Sequence, residues 1–530
     1  MTDTTRMAGP REWIGLAVLA LGCLLYVMDL TVLHLAIPAI SADLQPTSAQ
    51  LLWIIDIYGF FVAGSLITMG TLGDRIGRRR LLLVGAASFG IVSLLAAFST
   101  SAEMLIVSRA LLGIAGATLA PSTLSLIFHM FPDPKQRSVA IGVWIGSFSA
   151  GSAVGPVLGG VALELFWWGS VFLLALPVMA LLLVLGPRVL PEYRDPDAGR
   201  LDLASAGLSV IAVLAVIYGL KETAQDGFGW VPALFVVAGV AVGVAFVRRQ
   251  RLLADPMIDV GLFRVTAFNA ALATNFFAIF VAFGGMLFFA QYLQLVVGLS
   301  PLEAGLWSLP SAFGFVAGSQ LGPRIVHRVR PVSQIGGGLA LAAVGLAVLT
   351  QVDASGGLVT LIIGSLIMSL GLAPVFGLTT ELIVGSAPPE RAGAASGISE
   401  TGAELGGALG IAILGSIGVA IYRSGLANRL PAGLPADVAA IARDTLGGAV
   451  AVAGQLPDQL GAAVMEVSRG AFVQGMQLTS AIASVMALGL AALAVALLRD
   501  RPTTSGTEVD TASPADGEQR EPAGLSASRG

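Results

Sequence analysis

Along the chain, stretches of about twenty residues nearly free of charge alternate with short segments rich in glycine, proline, arginine and acids. Fourteen such stretches can be placed, at 13–40, 50–72, 81–99, 103–130, 138–164, 168–186, 203–220, 231–247, 267–295, 303–325, 334–350, 357–384, 393–421 and 472–498. A helix rises about 1.5 Å per residue, so about twenty residues cross a hydrocarbon layer about 30 Å thick. The pattern therefore predicts an all-α membrane protein with 14 transmembrane helices. The first run is too long for a signal-peptide core, lacks a small-residue cleavage site after it and contains Asp29, so it reads as a retained helix.

Composition agrees with this reading: 55% of the 530 residues are hydrophobic and 12% charged, against roughly 25% charged in soluble proteins. With a cytoplasmic start, 23 of the 29 Lys and Arg fall in inside segments, and Lys221, Arg423, Arg429, Arg443 and Arg469 fall outside. Basic residues collect on the inside, so both termini are expected in the cytoplasm. Cys23 is alone and His34, His129 and His327 are scattered, so no disulfide and no metal site are expected. Lys135 and Lys221 lie in no phosphate-binding loop, and no nucleophile and base come together, so the chain reads as neither an ATPase nor another enzyme. Its expected surroundings are the lipid bilayer, with no nucleic acid. The tail 501–530, polar and without aromatic residues, is expected to be disordered. The outside segment 424–469 is expected to form two short amphipathic helices at the membrane surface.

Several positions carry chemistry. The link Gly70 to Arg80, GTLGDRIGRRR, combines Gly70 and Gly77, which allow a tight turn, with Asp74, a cap or ion-pair partner, and Arg75 and Arg78, which hold the link inside. In the fifth span Gly151, Gly155 and Gly159 recur every four residues, with Gly160 beside them and Pro156 removing a backbone donor, a pattern for close packing with a bend. Asp29 lies deep in the first span, where an aspartate costs about 2.5–3.5 kcal/mol on insertion scales. Asp56 in the second span shares a face with Trp53 and Phe60, and a carboxylate bordered by aromatics suits an organic cation. Tyr26 joins Trp53 and Phe60 as a candidate substrate-cavity residue. Arg109 is a charge inside the fourth span. Glu400 and Glu404 lie about 40° apart on one helical face, with Gly402, Gly406 and Gly410 turned elsewhere. Two carboxylates one turn apart in low dielectric disfavour double ionisation, which suits a proton site. Glu164 and Glu381 read as interfacial.

These strings resemble the major facilitator superfamily. GTLGDRIGRRR resembles the loop signature that latches the halves and gates the cytoplasmic side, and GSAVGPVLGG looks like the antiporter signature of its drug exporters. MDLTVLHLAIP, from Met28 to Pro38, resembles the first-helix motif of the fourteen-span drug:proton antiporters, such as the quaternary-ammonium-compound efflux pumps. LIVSRALLG around Arg109 matches a motif implicated in proton transfer, and acids matching Glu400 and Glu404 are regarded as protonation sites. The resemblance implies a six-helix half over 1–190, an inserted two-helix pair over 191–264 and a second half over 265–500. It further implies a proton-coupled multidrug efflux antiporter in the bacterial plasma membrane, exporting small lipophilic, mainly cationic compounds as a monomer, with the proton gradient in place of a cofactor. Two departures stand out: the tenth span, PSAFGFVAGSQ, has no acid, and GSQLGPRIVHRVRP is a degraded counterpart of the Gly70 link. A dedicated exporter of one self-made metabolite, to which the 2 lysines against 27 arginines give weak compositional support, and a lipid-handling protein on the same fold are the alternatives.

Overall fold

The computed structural model describes residues 7–194, 202–226, 229–253, 256, 260–325, 329–386, 392–427, 429–431 and 433–498. The tail 501–530, part of the linkers around the inserted pair, and the side chain of Asp74 lie outside the described residues. In chain order the helices are α1 (Pro10–Leu44), α2 (Ser48–Ile76), α3 (Arg78–Ala97), α4 (Ala102–Gly116), α5 (Leu119–Met130), α6 (Pro134–Leu165), α7 (Ser170–Leu173), α8 (Ala175–Val189), α9 (Leu203–Asp226) and α10 (Trp230–Leu252). They continue as α11 (Thr266–Met286), α12 (Phe289–Gln291), α13 (Pro301–Trp307), α14 (Leu309–Ile325), α15 (Pro331–Leu349), α16 (Leu358–Gly385), α17 (Ala392–Leu426), α18 (Ala436–Asp444), α19 (Leu446–Ala453) and α20 (Asp458–Leu498). Their starts follow local chemistry. Thr47 caps α2 by accepting from the Gln50 N–H, while the Gln50 side chain accepts from the Thr47 N–H; Ser300 and Glu303 do the same for α13. Asp133 followed by Pro134 opens α6.

Among the described residues, twelve helical stretches are long and apolar enough to cross a membrane. The two further spans expected from the sequence correspond to α9, whose apolar stretch is the shorter Ala204–Leu220, and to α13 and α14, which are separate helices. The 24 residues of α9 rise about 36 Å in all, and the 17 of α14 about 26 Å. The last helix begins at Asp458, well before the expected 472, and its 41 residues are about 60 Å long. Its first turns therefore project beyond the apolar layer. There α18, α19 and the start of α20 bury Ala442, Ala449, Val452 and Val464 together, and the Tyr422 hydroxyl donates to the Ala442 carbonyl at 2.7 Å.

Two large cores organise the bundle. One gathers residues from α1 to α8, the other mainly residues from α11 to α20. The halves meet where α2 runs against α17 and where α6 meets α13, and α9 of the inserted pair packs on both α2 and α17. Several contacts between the halves lie at the end remote from the Gly70 to Arg80 link. At that far end a Cβ on Gly305 would sit 2.3 Å from the Pro156 carbonyl oxygen, one on Gly160 would meet Leu302, and one on Gly447 would meet Ser41. Gln294 Nε2 donates to the Leu35 carbonyl at 2.9 Å in the same region. Toward the link, Gly142 and Gly146 of α6 and Gly397 of α17 face open space.

Candidate functional site

The site is built from charges on four helices. Arg109 of α4 is fully buried; its Nη1 donates to Asp29 of α1 at 2.6 Å and its Nε to the Ile54 carbonyl of α2 at 3.2 Å. The guanidinium carbon lies 4.6 Å from the centre of the Tyr58 ring, a distance at which the ring face attracts a cation. Two opposite charges in low dielectric hold each other in place, and either alone would be costly. A cavity of about 10 Å³ beside Asp29, bordered also by Leu33 and Phe172, is close to the volume one water needs.

On α17 the glycines and acids divide the surface. A Cβ on Gly402 would meet Leu272, and Cβ atoms on Gly406 and Gly410 would fall 2.6 and 2.2 Å from the carbonyl oxygens of Phe276 and Phe280. That face is pressed against the α11 backbone, which turns half-buried Glu400 and Glu404 away from it. Glu404 accepts a hydrogen bond from the Tyr26 hydroxyl of α1. The Tyr26 ring lies 6.2 Å from Tyr58 and 6.3 Å from Phe148, and Phe148 lies 4.7 Å from Trp144. Trp144 is fixed by its Nε1, which donates to Thr123 Oγ1 at 3.1 Å. The result is an aromatic row from α6 through α1 to α2 beside an acid. Asp29, Arg109, Tyr58, Tyr26 and Glu404 form one continuous line of contacts from the first half into the second.

Trp144 and Phe148 were not singled out in the sequence. Their signal is an aromatic pair one turn apart on the helix that also carries the glycine row. Trp53 and Phe60, expected in a substrate cavity, lie apart from this row: their rings meet edge to face at 6.2 Å, Trp53 stacks on Tyr218 of α9 at 6.4 Å, and Phe60 is fully buried with Ile217, Ala408 and Ala412. Asp56 is buried on α2 one turn before Gly59, where a Cβ would contact Ala408.

The glycine row of α6 has two faces. Cβ atoms on Gly151, Gly155 and Gly159 would meet the Leu24 carbonyl oxygen, Thr31 Oγ1 and Val32 Cγ1 of α1 at 2.4, 2.4 and 2.5 Å. Gly160 and Pro156 turn instead to α13 of the second half. In the link, Gly77 adopts φ +106°, a left-handed conformation that favours glycine, and a Cβ there would also strike the Glu192 carboxylate. A Cβ on Gly70 would come within 4.0 Å of Pro121. Arg78 donates through its N–H to the Tyr193 carbonyl at 2.9 Å and through Nη1 to the Pro121 carbonyl at 3.4 Å. Arg79 pairs with Glu192 at 3.4 Å, and half-buried Arg75 lies in the last turn of α2. These link contacts reach Pro121 of the first half and Glu192 and Tyr193 just beyond its end.

The family model described as Major Facilitator Superfamily matches residues 19–411. The chain is 43% identical to the "Multidrug efflux pump LfrA" of Mycolicibacterium smegmatis over 492 residues, 93% of this chain and 97% of that protein. It is 38% identical to the "Methyl viologen resistance protein SmvA" of Salmonella typhimurium over 497 residues, 91% and 97% of the two chains. Among solved structures it resembles a bacterial homologue of the human lysosomal transporter Spinster, with a TM-score of 0.65 and 20% identity over 94% of this chain and all of that one, a likeness of fold.

Proposed function

The chain belongs to the major facilitator superfamily, and from that premise we propose that it is a proton-coupled multidrug efflux antiporter of the bacterial plasma membrane. Its substrates are small, lipophilic and mainly cationic compounds taken from the cytoplasm or inner leaflet. The observation that carries this reading is the acidic face of α17, where Glu404 accepts from Tyr26 beside the aromatic row of Tyr58, Phe148 and Trp144. Flat delocalised cations are attracted both by carboxylate charge and by ring faces. The relatives' names, one a multidrug pump and one a resistance protein for methyl viologen, a flat bipyridinium cation, support that substrate class.

In this reading the chain crosses the membrane fourteen times as 1–190, 191–264 and 265–500, with both termini in the cytoplasm, and works as a monomer. The Gly70 to Arg80 link then marks the cytoplasmic end, and the contacts between the halves at the far end fit the inward-facing stage of alternating access. Asp29, Asp56, Glu400 and Glu404 are the groups that exchange proton for cation, with Arg109 holding Asp29, and the link with Gly70, Asp74, Arg75, Gly77 and Arg78 is the cytoplasmic gate. One proton exchanged for one monovalent cation moves no net charge; each extra proton adds about 2.3 kcal/mol per 100 mV of membrane potential.

The test is uptake of ethidium into inverted membrane vesicles energised by a pH gradient. Uptake by the unaltered protein that is lost in Asp29→Asn and Glu404→Gln is the expected result. Absence of gradient-driven uptake at confirmed expression would remove the antiport reading.

A further inference from the structure

Gln294 and Tyr26 both carry hydrogen bonds between the halves, but of different kinds. The Gln294 amide to the Leu35 carbonyl is a neutral contact at the far end. The Tyr26 hydroxyl to Glu404 lies midway along α1 and α17, and its acceptor is ionisable. Tyr26 is 2% exposed, so its hydroxyl has little water to turn to, and a buried phenol needs a partner. That partner belongs to the opposite half.

Resting on the antiport reading above, we propose that Tyr26 is a positioning residue that couples the charge on Glu404 to the relative placement of the two halves. With Glu404 ionised, the bond is charge-assisted and holds α1 and α17 in the arrangement seen here, with the halves in contact at the far end. A proton on Glu404 removes the charge, and such bonds lose roughly half their strength when both partners are neutral. The helices are then free to separate.

The surrounding groups are compatible with Glu404 as the variable member. Glu400 lies one turn earlier on α17; Asp56 and Tyr58 lie on α2; Cys23, Asp29 and His34 lie on α1; and Arg109 on α4 is engaged by Asp29 at 2.6 Å. Arg109 reaches Tyr26 through the intervening Tyr58 ring. If Tyr26 served merely as an aromatic wall, removing its hydroxyl would change little.

The test measures the separation of the link ends by pulsed electron resonance on the full chain in lipid, with Cys23→Ser and spin labels on Gly142→Cys and Gly397→Cys. It is done at about pH 8.5 and about pH 5.5, either side of neutrality. The parent should favour the wide separation at high pH and shift toward the narrow one at low pH. Tyr26→Phe, which keeps the ring, should lower the wide-to-narrow ratio at high pH about ten-fold, the scale of one hydrogen bond to a charged group. Glu404→Gln should do the same, and the double variant should add nothing further. A Tyr26→Phe protein that follows the parent at both pH values, or whose effect persists undiminished beside Glu404→Gln, overturns the proposal. If the parent still takes up ethidium on a pH gradient in that case, the antiport reading stands without it; if it takes up none, both fall. Thermal unfolding of Tyr26→Phe close to that of the parent excludes misfolding as the cause.

Discussion

Arg109 and Asp29 are joined at 2.6 Å with their side chains 0% and 8% exposed, so a cation of α4 and an anion of α1 neutralise each other inside the first half. The same guanidinium donates to the α2 backbone and lies over Tyr58. Three helices are thus tied at one point, and that point touches the line of residues leading to Glu404.

Removing one member should leave the other buried without compensation. Arg109→Ala is expected to destabilise the protein by about 3–5 kcal/mol, read as a lowered unfolding temperature in detergent. The double change Asp29→Asn with Arg109→Gln should recover most of that stability while leaving transport impaired. Equal instability in the single and double variants would contradict a mutual role.

The α6 glycines should be separable by position. Gly151→Ala drives a Cβ toward the Leu24 carbonyl oxygen, a backbone atom that cannot rotate aside, and overpacking of that kind costs about 1–3 kcal/mol. Gly142→Ala, on the same helix but facing open space, should leave the unfolding temperature unchanged or raise it. Comparison of the two unfolding curves checks the assignment.

Phe60 offers a choice between packing and binding. It is buried against Ile217, Ala408 and Ala412 where α2, α9 and α17 meet. Phe60→Ala is therefore expected to cost about 3–5 kcal/mol in stability and to leave the apparent affinity for ethidium within about two-fold. A weakened affinity with unchanged stability would instead support Phe60 as a substrate-cavity residue.

The inserted pair is fastened at the link end by Asp202, whose carboxylate takes Arg249 Nε at 2.7 Å and Nη2 at 3.0 Å and also accepts from Ser205. Arg249, and then Ser205, hold the Asp202 carboxyl well below the usual carboxylate range. A depressed value in the folded state means the contribution is complete above the ordinary carboxylate range and is lost as pH falls through it and below. The difference in unfolding temperature between the parent and Asp202→Asn should hence be constant from about pH 8 to about pH 5 and vanish in stronger acid. High salt should reduce it, since Arg249 is exposed.

This multi-pass membrane protein shows a clear division between local and long-range information. The helices and the face shared by Glu400 and Glu404 were legible in the sequence, because hydrophobic runs and the helical period act between near neighbours. The glycine row of α6 was legible as a packing face, but not that it receives α1 on one side and α13 on the other. The start of α20 was hidden because its first turns carry Asp458, Glu466 and Arg469 and so break the apolar run, while packing against α18 and α19 holds them helical. Trp53 and Phe60 share a face with Asp56, yet spacing on one helix cannot say which neighbour covers that face, and α9 does. The bond between Tyr26 and Glu404 joins residues 378 positions apart. No local pattern encodes it; it exists because the glycine faces of α6 and α17 set how closely α1 and α11 approach, and that packing decides which buried groups meet.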